Sequence, residues 1–346
     1  AGVSARLFTI EETERYAGSL GDPSRMAQNF AGVISAGDQR NDIIIRGNSP
    51  SGLLWRLDGV PIPNPNHFGA QGSTGGPVSM LNNNLLTNSD FFTGAWPAEY
   101  NNSVSGVFDL KMRNGNTEKR EYLGQIGYGG IEVGAEGPFV KGKKSSYLIN
   151  YRYSTMAFAK KIGLNPLGIT PEYQDISLRL NFPTQKHGTL SFSAIAGTSE
   201  ITLVHDIESA YGNDTLMDII TGSDMATIIL SHTYIKNNWT IKSYLTANVS
   251  RYRLHLDNMM YSQNIDNSWS IIDKKLYYKE HSTDKRALAG IRINKKMGAK
   301  NNITFGGLLT SYNIDFFDLY WKNNYNFIYR NANVQQDDIY ESAMDI

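Results

Sequence analysis

Beyond residue 118 apolar and polar positions alternate with a period of two, the mark of strands with one apolar face. Tyr122, Gly124, Ile126 and Tyr128 share a face. After Gly129-Gly130, a two-residue hairpin signal, the apolar face passes to Ile131, Val133 and Ala135. Gly137–Lys144 predicts a second tight turn, and Tyr147, Ile149, Tyr151 and Tyr153 then oppose Ser146, Asn150 and Arg152. The pattern continues with Ile176, Leu178, Leu180 and Phe182 against Asp175, Ser177, Arg179 and Asn181, and returns through Leu190, Phe192, Ala194 and Ala196. Met225–Ile235 reaches the turn Lys236-Asn237-Asn238. Trp239, Ile241, Leu245, Ala247 and Val249 oppose Thr240, Lys242, Tyr244, Thr246 and Asn248. Strands at Tyr277–Ile293 and Ile303–Ile314 follow, with a further one opening at Tyr340–Ile346. The hairpin arms amount to nine strands and a tenth begun.

Tight turns alternate with long connections at Ala157–Pro171, Thr198–Asp224, Asp257–Lys275 and Phe316–Gln336. That asymmetry, with strands that reach about ten residues, fits a transmembrane β-barrel with short turns on one side and long loops on the other. A soluble β-sandwich also alternates, but its strands average about five or six residues.

Before residue 118 the pattern is compact and mixed. Thr9-Ile10-Glu11-Glu12 has capping-box spacing, with Thr13–Ala17 continuing a short helix. Asp22-Pro23 opens a second helix, cap then proline, and Met26, Phe30 and Val33 fall on one face. Asp38-Gln39-Arg40-Asn41 turns into four buried strands around which this part is organised: Asp42–Gly47, Leu53–Val60, Ser89–Gly94 and Ser105–Met112. Between them lies the loop Pro61–Gly69.

Composition adds mainly exclusions. Hydrophobic residues make up 40% and charged residues 19% of 346, with a formal net charge of +0, so the chain lacks the basic excess that nucleic-acid binding requires. There is no cysteine for a disulfide or thiolate metal site. No apolar run reaches the roughly 18 residues of a transmembrane helix, and Ala1–Arg6 has no signal-peptide core. His67, His187, His205, His232, His255 and His281 show no ligand spacing and no nucleophile elbow occurs. The expectation is therefore no enzyme, no metal and no cofactor.

Four stretches, taken in order, carry a resemblance: Ile44-Ile45-Arg46-Gly47; Leu57-Asp58-Gly59-Val60-Pro61-Ile62; Phe91-Phe92-Thr93-Gly94 with Ala98-Glu99-Tyr100; and Ser105-Gly106-Val107-Phe108-Asp109-Leu110. They are similar to the plug domain of TonB-dependent outer-membrane transporters, most of all the Bacteroidetes-type members. The departure lies at Asp109–Arg113, where the family more often has an apolar-polar-Thr-Lys run.

The resemblance implies an α+β plug domain (1–117) followed by an antiparallel transmembrane β-barrel wall (118–346). This chain would supply the first nine or ten strands of about 22, an incomplete barrel. It further implies an outer-membrane receptor of Gram-negative cells that imports an extracellular solute by energy-coupled plug rearrangement. The expected partners are a TonB-type energy-transducing protein, acting through a segment upstream of Ala1, outer-membrane lipid and a surface lipoprotein, with no nucleic acid. A non-transporting accessory subunit of an outer-membrane assembly is the alternative. On this basis Asn48, Asn64, Asn66, His67, Phe68 and Tyr100 are expected on solute-facing plug loops, although Asn and Pro there also serve as ordinary turn residues. Arg46, Arg56 and Glu99 are expected to make plug–wall charge contacts.

Overall fold

Phe108 is the centre of the first unit. Trp55 stacks on it at 4.6 Å, Phe91 lies 4.4 Å away, and Phe8 meets it edge-on at 6.1 Å. The computed structural model describes residues 5–345 except 20, 36, 71, 128–129, 164–169, 204–214, 267, 299–300 and 324–325. The predicted hairpin at Gly129-Gly130 thus falls partly outside the described residues.

The first unit begins with β1 (Ala5–Phe8) and α1 (Ile10–Arg15), the latter held by the predicted capping box between Thr9 and Glu12. Asp22 caps α2 (Pro23–Ala27). Met26 and Phe30 pack on the core and Val33 is buried, but not from one helix. α2 ends at Ala27, and Val33 opens β2 (Val33–Ser35), which pairs with β3 (Ile43–Ile45). Leu53–Val60, expected as one strand, is a hairpin of β4 (Leu53–Leu57) and β5 (Val60–Pro61). Asp58 and Gly59 take φ of 54° and 82°, the left-handed pair that an Asp-Gly hairpin turn requires. The remaining elements are β6 (Asn66–His67), β7 (Val78–Ser79), β8 (Leu86–Phe92) and β9 (Gly106–Met112). The main sheet runs β1-β8-β9-β4-β5, with β4 and β9 parallel.

Gly115 then carries the chain across the second sheet. A Cβ at that position would lie 2.0 Å from the Tyr147 carbonyl oxygen, so only glycine fits there. A ten-stranded antiparallel meander follows: β10 (Glu121–Gly127), β11 (Gly130–Pro138), β12 (Ser146–Tyr153), α3 (Thr155–Lys161), β13 (Thr170–Thr184), β14 (Gly188–Leu203), β15 (Thr215–Lys236), β16 (Trp239–Gln263), β17 (Trp269–Lys296), β18 (Asn302–Asn323) and β19 (Asn326–Asp345).

Three of the four expected long connections are corrected. Much of Thr198–Asp224, most of Asp257–Lys275 and nearly all of Phe316–Gln336 are strand, with pairs such as Thr215↔Met260 and Gln263↔Trp269 carrying the ladder on. Apolar alternation ends where both faces meet water, but backbone pairing does not need it. In the fourth, α3 occupies Thr155–Lys161 and 164–169 lie outside the described residues.

The two faces of the meander are chemically opposite. Ser177, Ser191, Ser193 and Ser231 are buried towards the first unit, whereas Ile176 is 43% exposed, Ile228 46% and Leu245 59%. Of the inward side chains, Leu148, Ile195, Met225 and Ile229 join the core of the first unit. A polar inner face against a globular unit and an apolar outer face is the order of a filled membrane barrel, the reverse of a soluble sandwich.

The interface between the two sheets as candidate functional site

The Asp58-Gly59 turn points its carboxylate at the wall because both residues are left-handed. Asp58 Oδ2 accepts from Arg179 Nη1 at 2.7 Å and from Ser193 Oγ at 2.8 Å, and Oδ1 accepts from the Met112 amide at 3.1 Å. The Asp58 carbonyl also accepts from Lys242 Nζ. Burial of an ion pair costs several kcal/mol per charge unless the remaining hydrogen-bonding capacity is filled; here three donors fill the carboxylate.

Beside it, Arg56 lies 4.5 Å from the centre of the Tyr100 ring and 3.7 Å from Glu99, too far for a hydrogen bond but close enough for attraction. Glu99 in turn accepts from Arg292 of the wall. Tyr100 donates to Asp109 at 2.9 Å, and burial together with the Asp109 and Glu99 charges raises its phenol well above the ordinary value. Among the described residues, Arg56 Nε and Nη1 and Asp109 Oδ1 of this group have no hydrogen-bond partner. The residues surround a cavity of about 470 Å³ that also reaches Lys111 and Thr304.

Further along the interface His67 is fully buried. Its Nε2 is 2.9 Å from Asp175 Oδ2, and the same carboxylate oxygen accepts from Arg152 Nη2 at 2.7 Å. Arg152 also donates to the Ser79 carbonyl at 2.5 Å, so β7 and the His67 loop share one wall anchor. Burial lowers the His67 pKa, only partly offset by Asp175, and the ring is neutral at pH 7. Phe68 donates its amide to Ser199 Oγ at 2.9 Å and meets the Tyr173 ring edge-on. An amide–carboxylate chain, Asn82–Asn150–Glu132–Asn84, and the bidentate Arg113–Glu136 pair at 2.7 Å complete the seam.

The sequence-predicted residues divide into groups. Asn66, His67, Phe68 and Tyr100 are buried, contrary to their expected presentation to solute, and each finds a protein hydrogen-bond partner, although His67 Nδ1 has none among the described residues. Asn66 accepts from Asn41 at 2.6 Å and donates to Asn64 at 2.6 Å. Asn64 is half-buried and lines a cleft of about 300 Å³ between its loop and the wall residues Ser250, Tyr252 and Arg286. Asn48 is exposed. Of the three expected charge contacts, Glu99 reaches the wall directly and Arg56 reaches it through Glu99. Arg46 is exposed, and its guanidinium packs beside Gly94 of its own unit.

Asp58, Arg152, Asp175, Arg179, Lys242 and Arg292 lie outside the sequence-predicted set. Their one legible signal is position: Arg152, Asp175 and Arg179 stand on the polar face of an otherwise apolar alternation, where a charge needs a partner.

A point mutant of the ferric enterobactin receptor PfeA of Pseudomonas aeruginosa superposes with a TM-score of 0.60 at 15% identity, over 99% of this chain and 58% of its own. The pyoverdine outer membrane receptor FpvA of the same organism gives 0.63 at 15%, covering 94% and 48%. The fold is that of these receptors. The ferric-catecholate import receptor Fiu of E. coli gives 0.52 at 11%, covering 98% and 66%. No protein-family model and no curated protein matches the sequence. The chain thus spans a little over half the length of PfeA, and at such identities the likeness establishes architecture and leaves the solute open.

Proposed function

We propose that this chain is the plug domain (1–117) and first ten wall strands (118–346) of an outer-membrane TonB-dependent receptor that imports an extracellular solute. The single observation that carries the reading is the reversal of faces. The wall is apolar outside and polar inside, and the polar side is filled by a globular unit tied to it through Asp58–Arg179, Glu99–Arg292 and His67–Asp175. Buried ion pairs together with a shared apolar cluster resist spontaneous loss of the plug, and the parted charges are re-solvated by water when it moves.

Energy comes from a TonB-type protein acting on a segment upstream of Ala1, and a surface lipoprotein of the Bacteroidetes type presents the solute. Asn48 and Asn64 face the solute, while Asn66, His67, Phe68 and Tyr100 support that surface from beneath. The plug movement is testable because the chain has no native cysteine. Cysteines replacing Phe68 and Ser199 in the intact protein, joined by oxidation or a short bifunctional reagent, should abolish solute-dependent growth, and reduction of the disulfide should restore it. Growth of a deletion strain across defined iron and carbon sources identifies the solute. Undiminished growth with the cross-link demonstrably formed refutes import by plug movement.

A further inference from the structure

The four tight turns share a composition that transport does not explain. Residues 139–145, 184–188, 236–238 and 294–301 contain eight lysines and no carboxylate. Lys143, Lys144, Lys186 and Lys236 are exposed, and among the described residues none of these four has a carboxylate partner. Elsewhere the surface charges are mixed and paired: at the opposite end of the strands Asp224 holds Arg253, and Lys274 bridges Asp218 and Asp257. The lysines are therefore concentrated at one rim, without carboxylates of their own turns to neutralise them.

Each turn also places large apolar side chains beside its lysines. Val140 is 60% exposed, Ile235 67% and Met297 54%, and Leu190 follows Lys186 at 43%. On the outward face the register sets Lys236, Trp239 and Lys295 side by side on three successive strands, with Lys295 Nζ 4.5 Å from the centre of the Trp239 ring. On the same side of the wall Phe139 stacks on Phe182 at 5.3 Å and meets Tyr147 at a tilt at 5.5 Å. Directly above lies the outward apolar band of Leu230, Leu245 and Ile291. Aromatic rings at the edge of an apolar band, followed by long cationic side chains, match the chemistry of a bilayer interface, where rings sit at headgroup depth and ammonium groups reach for phosphate.

We propose that this rim binds the phosphate headgroups of anionic phospholipid in the leaflet that the short turns meet, and so fixes the depth of the wall. The proposal rests on the membrane-wall reading above. Ammonium groups gathered in these turns, which carry no carboxylate of their own, favour an anionic over a zwitterionic headgroup at each contact.

The test uses the intact protein reconstituted into phosphatidylcholine vesicles containing brominated phosphatidylglycerol or brominated phosphatidylcholine at equal mole fraction. Quenching of Trp239 is isolated by subtracting the W239F variant. The expected result is several-fold preferential quenching by the phosphatidylglycerol, lost in high salt. It should also be lost in the K143Q/K144Q/K186Q/K236Q variant, with insertion unchanged. Equal quenching by the two lipids, a preference unaltered by the four substitutions, or selective binding of a soluble acidic polypeptide without lipid preference would each overturn it. Failure to insert into phosphatidylcholine alone would instead remove the membrane-wall reading, and is seen separately as protein that does not float with the vesicles.

Discussion

Replacing Asp58 by Asn removes one negative charge from the seam and changes little else. Asparagine tolerates the left-handed backbone at φ 54°, and the carbonyl that receives Lys242 remains. What is lost is the charge facing Arg179, whose side chain is 11% exposed in a pair where Asp58 is 8% exposed. Orphaning a buried ion costs about 3–5 kcal/mol when nothing else solvates it. Arg179 retains Ser193 at 2.5 Å and Asn114 at 3.2 Å, and the new amide still offers one oxygen. The expected loss is therefore about 2–3 kcal/mol, near the value of hydrogen bonds to charged groups. If β4–β5 opens as a unit, its amides should exchange about 30–150-fold faster, at tenfold per 1.36 kcal/mol. Hydrogen exchange read by mass spectrometry over Leu53–Pro61 and Gly106–Met112, in the intact protein, measures this directly. R179Q should give a similar figure, and the double variant less than the sum of the two. A change below about threefold in D58N, or strict additivity in the double variant, would refute the view that this pair holds the first unit to the second sheet.

Three further outcomes follow from the geometry. Because burial holds the His67 pKa below 6.5, the opened state binds more protons than the closed one; stability of the His67 loop is fully present above that value and declines as pH falls through the folded pKa. Exchange over 62–80, corrected for intrinsic rates, should rise between pH 7.5 and 5, and a flat profile argues against a buried neutral imidazole. Leu245 lies midway between Trp239 and Arg251 on the outward face, so L245R should cost about 2–4 kcal/mol in unfolding from vesicles if that face meets lipid. No measurable loss would place the residue in water. At Gly197 a Cβ would stand 2.8 Å from Met80 Sδ and 2.9 Å from His67 Cε1, so G197V should force the two units apart at about 1–3 kcal/mol, visible as lowered protection of the same loop.

Which side of each wall strand is apolar can be read from residue order alone. A side-chain period of two is a local property, and Ile176, Leu180 and Phe182 opposing Ser177, Arg179 and Asn181 can be read without knowing any neighbour. Residue order also determined the two helix caps, whose bonds close within three residues, and the four buried strands of the first unit. The Asp-Gly turn was written there too, but Leu53–Val60 is apolar enough to read as a single strand. Which charge meets which is settled by the folded chain. Asp58 and Arg179 are 121 residues apart, and Glu99 and Arg292 193, separations at which no periodicity carries information. For the same reason His67, placed by sequence on a solute-facing loop, is buried: its exposure depended on Asp175 and Arg152 arriving from the wall. The extent of β15 to β19 was likewise invisible, since ladder hydrogen bonds hold strands together where no apolar face remains to announce them.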